Sequence, residues 1–264
     1  MIHFTVSDKA HDGLQLLYAS SKRAGLQPRI LGLGTRQRIG HGSGGFGLKL
    51  SALKRALASI APDQYVLFTD AYDVLIQGPV ASLEAWLDTN DKVLFAAETV
   101  NWPDTTLQYP AGTGFITHLN SGVFAGRAKH ILELLDAPYT SSTDDQLYYA
   151  SQYVTGKTRI VLDSTATYFL CLHKAPGTVA LETPVRFLPT HHAPTTPLVL
   201  HMNNGLTRLY WFETLAPLIL GEWSRTFARN AAWSGMVPKG WFARRHTLAL
   251  WIFIFLVLFV KMWS

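Results

Sequence analysis

The stretch QYVLFTDAYDVLIQGP, residues 64–79, decides how the chain is read. Tyr65, Val66, Leu67 and Phe68 form an apolar run with high β propensity, so the segment begins as a buried strand. Asp70 and Asp73 follow, and then Val74, Leu75 and Ile76 return to apolar character. Two carboxylates inside such a segment are costly to bury without a compensating charge. One reading is a divalent metal site, because hard carboxylate oxygens suit Mg²⁺ or Mn²⁺, which in turn hold phosphates. The other is local capping, in which Asp accepts from the backbone donors of the following turn. Spacing alone leaves both open. A phosphohydrolase with an aspartate nucleophile is disfavoured, since its second acid stands two residues on and here the gap is three.

Outward from this stretch, apolar strand-like runs alternate with helix-period segments. Residues 2–6 (IHFTV) read as a first strand and residues 29–34 (RILGLG) as a second. Residues 13–24 place Leu14, Leu17 and Tyr18 on one helical face. Residues 48–60 do the same with Leu50, Leu53, Leu57 and Ile60. The stretch quoted above supplies the third strand, 80–90 a short helix and 92–98 a fourth strand. This order predicts an α/β fold with a mostly parallel central sheet. Ligands in such sheets bind at the carboxyl ends of the strands, which is where Asp70 falls. Further along, 101–114 reads as a loop, 121–126, 159–164 and 197–203 as strands, and 127–135 and 144–154 as helices.

The totals narrow the partners. The 264 residues are 48% hydrophobic, enough for one large domain or two small ones, and the formal charge is +5. A basic excess suits nucleic acid, anionic lipid or anionic small ligands, but the basic residues form no single long run, which argues against nucleic acid. Cys171 is the only cysteine, so no intrachain disulfide forms, in keeping with a reducing compartment. MIHFTV enters a strand pattern directly, without the charged and apolar regions of a signal peptide.

Residues 248–260 (LALWIFIFLVLFV) are uncharged and strongly apolar, preceded by Arg244 and Arg245 and followed by Lys261. As a helix they reach about 20 Å against a hydrocarbon core of roughly 30 Å, and snorkelling of Lys261 extends the span. A membrane anchor is the favoured reading, with an in-plane helix or a buried terminal helix as alternatives. Residues 222–246 carry five Arg or Lys against one acid, Glu222, interleaved with Trp223, Phe227, Trp233, Trp241 and Phe242, a mixture that suits a membrane surface. The expected division is a main globular domain over 1–216, a juxtamembrane segment over 217–246 and an apolar helix over 247–264. The main domain is expected on the cytoplasmic side.

Other segments carry chemistry only in combination. His201 follows PLVL at another predicted strand end, which makes it a candidate third metal ligand. GSGGFGLK (42–49) is a glycine-rich loop before a helix, and its backbone N–H groups with Lys49 suit a phosphate, although the pattern is not a P-loop. STDDQLYY (142–149) reads as an ordinary helix start, or as the place where Asp144 or Asp145 serves as an acid/base or cation-stabilising group.

Taken together, LFTDAYDVL, FAAETVNWPD, LNSGVFAG, STDDQLYY and LHMNNG resemble, in order and spacing, the glycosyltransferase domain of the procollagen lysyl hydroxylases. The resemblance runs from about residue 2 to residue 212. It implies a GT-A-type, Rossmann-like fold using Mn²⁺ (or Mg²⁺) and a UDP-sugar, UDP-glucose or UDP-galactose. Carried over by position, it implies Asp70, Asp73 and His201 as metal ligands and Lys49, Thr69, Trp102, Asn203 and Gly205 as the nucleotide-sugar contacts. It also implies Asn120, Asp144 and Asp145 as the reaction centre. The compensating charge for the two aspartates would then be the cation and, through it, a diphosphate.

The chain also departs from that family. No hydroxylation is expected, since these 264 residues hold no room for an iron-dependent hydroxylase half, and the histidine motif reads HMNNG rather than HGNG. Ser141, Ser142 and Thr143 stand where relatives have more acids. The expected reaction is hexose transfer to a hydroxyl acceptor: a hydroxylysine of collagen type, a surface glycan or a lipid-linked sugar. The rival reading is a non-catalytic, membrane-associated protein that binds a nucleotide sugar or glycan.

Overall fold

The computed structural model describes residues 1–34, 45–111, 114–156, 159–203 and 205–227. Its elements are β1 (Ile2–Val6), α1 (Asp12–Arg23), β2 (Pro28–Leu31), α2 (Gly47–Leu57), β3 (Tyr65–Thr69), β4 (Val74–Ile76), α3 (Ala81–Thr89), β5 (Val93–Glu98), β6 (His118–Arg127), α4 (Ala128–Leu134), α5 (Asp145–Val154), β7 (Ile160–Asp163), β8 (Phe169–Cys171), β9 (Gly177–Ala180), β10 (Arg186–Pro189), β11 (Val199–His201) and α6 (Gly205–Leu220).

The six-stranded main sheet runs β2-β1-β3-β6-β5-β7. β1 pairs in parallel with β2 and β3, and β5 with β7, while β6 runs antiparallel to both its neighbours. Helices α1, α2 and α3 return the chain between successive strands of like direction, as parallel pairing requires. The central strands are apolar throughout because both faces are covered. Val66, Leu67 and Phe68 on β3 and Phe95 on β5 are buried, each contributing roughly 1.5–3 kcal/mol. Phe124 of β6 stacks on Phe68 and Phe95, with ring centroids 4.8 and 4.6 Å away. The α/β architecture with a mostly parallel sheet is therefore as expected, with β6 reversed.

The quoted stretch differs from expectation in one respect. It is two strands, not one: β3 belongs to the main sheet and β4 to a separate three-stranded sheet, β4-β11-β8. The chain changes sheets at Asp70–Asp73. Asp70 N donates to Gly122 O at 2.7 Å on the β6 side, and the Asp73 carbonyl accepts from Met202 N at 2.8 Å beyond β11. The acids thus sit at the seam between the two sheets, where ladder pairing stops.

The short strands β8, β9 and β10 and the helix α6 have no counterpart in the sequence reading. α6 is apolar around much of its circumference and contains Pro217, so it shows little period. It runs through Pro217 to Leu220 and buries Phe212, Leu215, Ala216 and Ile219 in the second hydrophobic cluster. The Ile219 carbonyl accepts from the Arg23 guanidinium of α1. A boundary after residue 216 would cut this helix, so the folded domain extends beyond it. Among the described residues no helix is long and apolar enough to cross a membrane. The apolar segment 248–260, and most of the basic and aromatic run before it, lie outside the described residues.

Candidate active site

A cavity of about 360 Å³ opens at the carboxyl end of β3, at the seam between the sheets. Asp70, Asp73, His201, Lys49, Asn120, Asp144, Asp145, Trp102 and Asn203, nine of the residues expected from the sequence, all line it. Thr69 is not among them: its buried Oγ1 lies 2.9 Å from His3 Nε2 inside the sheet, so its side chain is engaged internally. Gly205 begins α6.

The three candidate metal ligands come from three elements of the fold: the end of β3, the turn into β4 and the end of β11. Their nearest ligand atoms all lie within 4.8 Å of one another. His201 Nε2 is 3.6 Å from Asp73 Oδ1 and 3.8 Å from Asp70 Oδ2. Two adjacent ligands of one octahedral ion with bonds of about 2.1 Å stand about 3.0 Å apart, so a small movement of the side chains toward one another would bring them onto a shared ion. His201 Nδ1 lies 3.0 Å from Asn120 Oδ1, an acceptor, which suits a proton on Nδ1 and aims Nε2, the atom that would ligate a cation, at the carboxylates. The approach depends on Gly122: a Cβ there would stand 2.2 Å from His201 Cε1 and 2.9 Å from Asp70 Oδ2. Donor set, tautomer and clearance all suit a divalent cation.

Each aspartate is divided between two partners. Asp70 Oδ1 accepts from Lys49 Nζ at 2.6 Å and Asp73 Oδ2 from Arg208 Nη2 at 2.5 Å, leaving Asp70 Oδ2 and Asp73 Oδ1 toward His201. Burial alone would raise the Asp73 carboxyl, but Arg208, His201 and Lys49 outweigh it and hold the group well below the usual carboxylate range. Burial alone would lower His201, yet Asp73, Asp70 and Glu98 leave it raised. Part of the compensating charge is therefore built into the chain.

Lys49 also reaches Asp145 Oδ2 at 2.7 Å, and Ser121 Oγ donates to the same oxygen at 3.1 Å. Burial would lower the Lys49 ammonium, but Asp145 and Asp70 dominate and raise it, so it stays charged. Neighbouring acids at the start of α5 have separate roles. Asp144 is the N-cap, its Oδ1 accepting from Leu147 N at 2.9 Å, whereas Asp145 is buried against Lys49. The helix cap and the buried ion pair with Lys49 thus fall on different residues.

Glu98, at the end of β5, was not singled out in the sequence. Its carboxylate accepts from Gln146 Nε2 at 2.7 Å, Asn203 Nδ2 at 2.9 Å and Asn120 Nδ2 at 3.0 Å. Burial raises its pKa against these three bonds. The argument applied to Asp70, an acid ending an apolar strand, would have found it. Ser121, Gly122 and Gln146 lay within quoted motifs without being assigned. Arg208 gave no local signal: its partner is 135 positions away. Trp102 is half exposed at the cavity mouth, its carbonyl accepting from Gln146 Nε2 at 3.0 Å.

A mostly parallel α/β sheet with one reversed strand, and two carboxylates and an imidazole converging at its carboxyl edge, fits a GT-A-like glycosyltransferase domain. The chain belongs to the family described as the PLOD GT domain, whose model matches residues 1–227. It is 33% identical over 221 residues to a Drosophila melanogaster procollagen-lysine,2-oxoglutarate 5-dioxygenase, covering 78% of this chain and 30% of the relative. It is 31% identical over 255 residues to the Mus musculus procollagen-lysine,2-oxoglutarate 5-dioxygenase 2, covering 91% and 32%. Against the Homo sapiens multifunctional procollagen lysine hydroxylase and glycosyltransferase LH3 it is 32% identical over 225 residues, covering 79% and 30%. The chain spans about a third of the length of these relatives.

Proposed function

We propose that this chain transfers a hexose from UDP-glucose or UDP-galactose to a hydroxyl acceptor, of the hydroxylysine type or on a glycan or lipid-linked sugar. The observation that carries the reading is the meeting of Asp70, Asp73 and His201 within 4.8 Å, in the same cavity as Asp145. Asp70, Asp73 and His201 are the residues that would hold Mn²⁺ or Mg²⁺, which supplies charge against the departing diphosphate. Lys49 keeps Asp145 and Asp70 at a set separation and shields their mutual repulsion. Asp145 is the carboxylate placed to take the acceptor proton or to face the cation-like sugar carbon. Asn120, Glu98, Asn203 and Gln146 offer donors and acceptors to sugar hydroxyls, and Trp102 offers a ring face at the entrance. The test is incubation with UDP-glucose or UDP-galactose, Mn²⁺ and a hydroxylysine peptide, reading UDP and product by mass spectrometry. Product formation that disappears in Asp145→Asn supports the reading. UDP-sugar binding without turnover under any acceptor would favour the non-catalytic alternative.

The membrane reading of 248–260 rests on sequence, and with it a cytoplasmic-face location. Truncation before Arg244 should release the domain from membranes with turnover on a soluble acceptor unchanged. A full-length chain that stays in solution without detergent would remove this reading.

A further inference from the structure

The two metal-side aspartates are each clamped from outside. Lys49 Nζ holds Asp70 Oδ1 at 2.6 Å, and Arg208 Nη2, from the first turn of α6, holds Asp73 Oδ2 at 2.5 Å. Only Asp70 Oδ2 and Asp73 Oδ1 face His201 Nε2, at 3.8 and 3.6 Å. An ion gripping either carboxylate through both oxygens would share one of them with an ammonium or guanidinium, placing like charges on the same atom. An ion taking one oxygen from each aspartate avoids this.

We infer that Arg208 is a positioning residue that makes Asp73 a one-oxygen ligand and so sets the site's metal preference. The inference rests on the metal reading above. Three single-atom protein ligands, one of them an imidazole, leave open positions on a six-coordinate ion of Mn²⁺ or Mg²⁺ size. Ca²⁺ takes six to eight oxygens at longer distances and commonly uses bidentate carboxylates, which the clamps deny it. Removing Arg208 frees Asp73 Oδ2, which the larger ion can use as a second ligand atom, while loss of the repelling charge acts on both divalent ions alike. A guanidinium with only a packing role would, when removed, misplace Asp73 and weaken both ions alike.

The experiment is calorimetric titration of the wild-type chain, Arg208→Gln and Arg208→Lys with Mn²⁺ and with Ca²⁺ alone, without nucleotide. Thermal melts check that all three are folded. Wild type is expected to bind Mn²⁺ much more tightly than Ca²⁺. In Arg208→Gln the ratio of the two dissociation constants should shrink by about tenfold, a change of about 1.4 kcal/mol. Arg208→Lys, which keeps the charge, should stay near the wild-type ratio. If Arg208→Gln shifts both constants by the same factor, Arg208 does not set the preference. If wild type binds no Mn²⁺ at all, the metal reading itself fails.

Discussion

Lys49 Nζ lies 2.7 Å from Asp145 Oδ2, a buried ion pair spanning 96 positions of the chain. The same ammonium reaches Asp70, so one side chain ties the candidate metal ligands to the candidate reaction centre. Both carboxylates lose their shared cation in Lys49→Met. Breaking a buried pair by removing one partner typically costs about 3–5 kcal/mol. Chemical denaturation should show a loss of that order, with turnover reduced to background. A variant as stable as wild type would mean that solvent, not Lys49, compensates these acids.

The neighbouring acids of α5 should separate cleanly. Asp145→Asn keeps the shape and removes the charge, so UDP release should fall at least about 100-fold while UDP affinity is retained. Asp144→Asn should keep most activity, because Asn is as good an N-cap as Asp. Asp144→Ala should instead lose about 1 kcal/mol of stability. Equal kinetic losses in Asp144→Asn and Asp145→Asn would remove the distinction drawn from their hydrogen bonds.

Gly122→Ala tests the clearance at the metal point. The added methyl would have to displace His201 or Asp70, given the 2.2 and 2.9 Å approaches. Mn²⁺ titration followed by calorimetry should show binding weakened at least about tenfold, with the secondary structure by circular dichroism unchanged. Unaltered metal affinity would place the ion elsewhere.

His3 sets an acid limit on stability. Burial lowers its pKa from 6.5 to about 3, so the folded state holds it neutral while the unfolded chain protonates it. Stability is full above about pH 6.5 and falls as pH drops, by roughly 1.4 kcal/mol per unit, until the folded value near 3 is reached. Between pH 7 and pH 5 that is about 2 kcal/mol. His3→Gln should flatten this limb: the midpoint difference between pH 7 and pH 5 should be smaller than in wild type. An identical pH dependence would assign the acid sensitivity to other groups.

Much of the architecture was legible locally. The strands at 2–6 and 65–69 and the helices of 12–23 and 145–154 follow from apolar period, because both periods are fixed by backbone geometry. The short strands β8 to β10 were not, since three or four residues give too little pattern to count. α6 was missed because a helix covered by core on much of its surface shows no polar face. Thr69 reads like its neighbour Asp70, but alternation along β3 turns its side chain toward His3 instead.

By itself, the sequence determined the kinds of element, their order and the chemical types at the strand ends: acids, an imidazole, amides, a lysine after glycines. Those properties are written in neighbours along the chain. Only the tertiary structure decided that β6 runs against its sheet, that Asp144 caps while Asp145 faces Lys49, and that each metal-side carboxylate is split between a cation and His201. Arg208 and Asp73 are 135 residues apart, and no local pattern links them. Charge compensation acts through distance in space, and folding alone sets which distances are short.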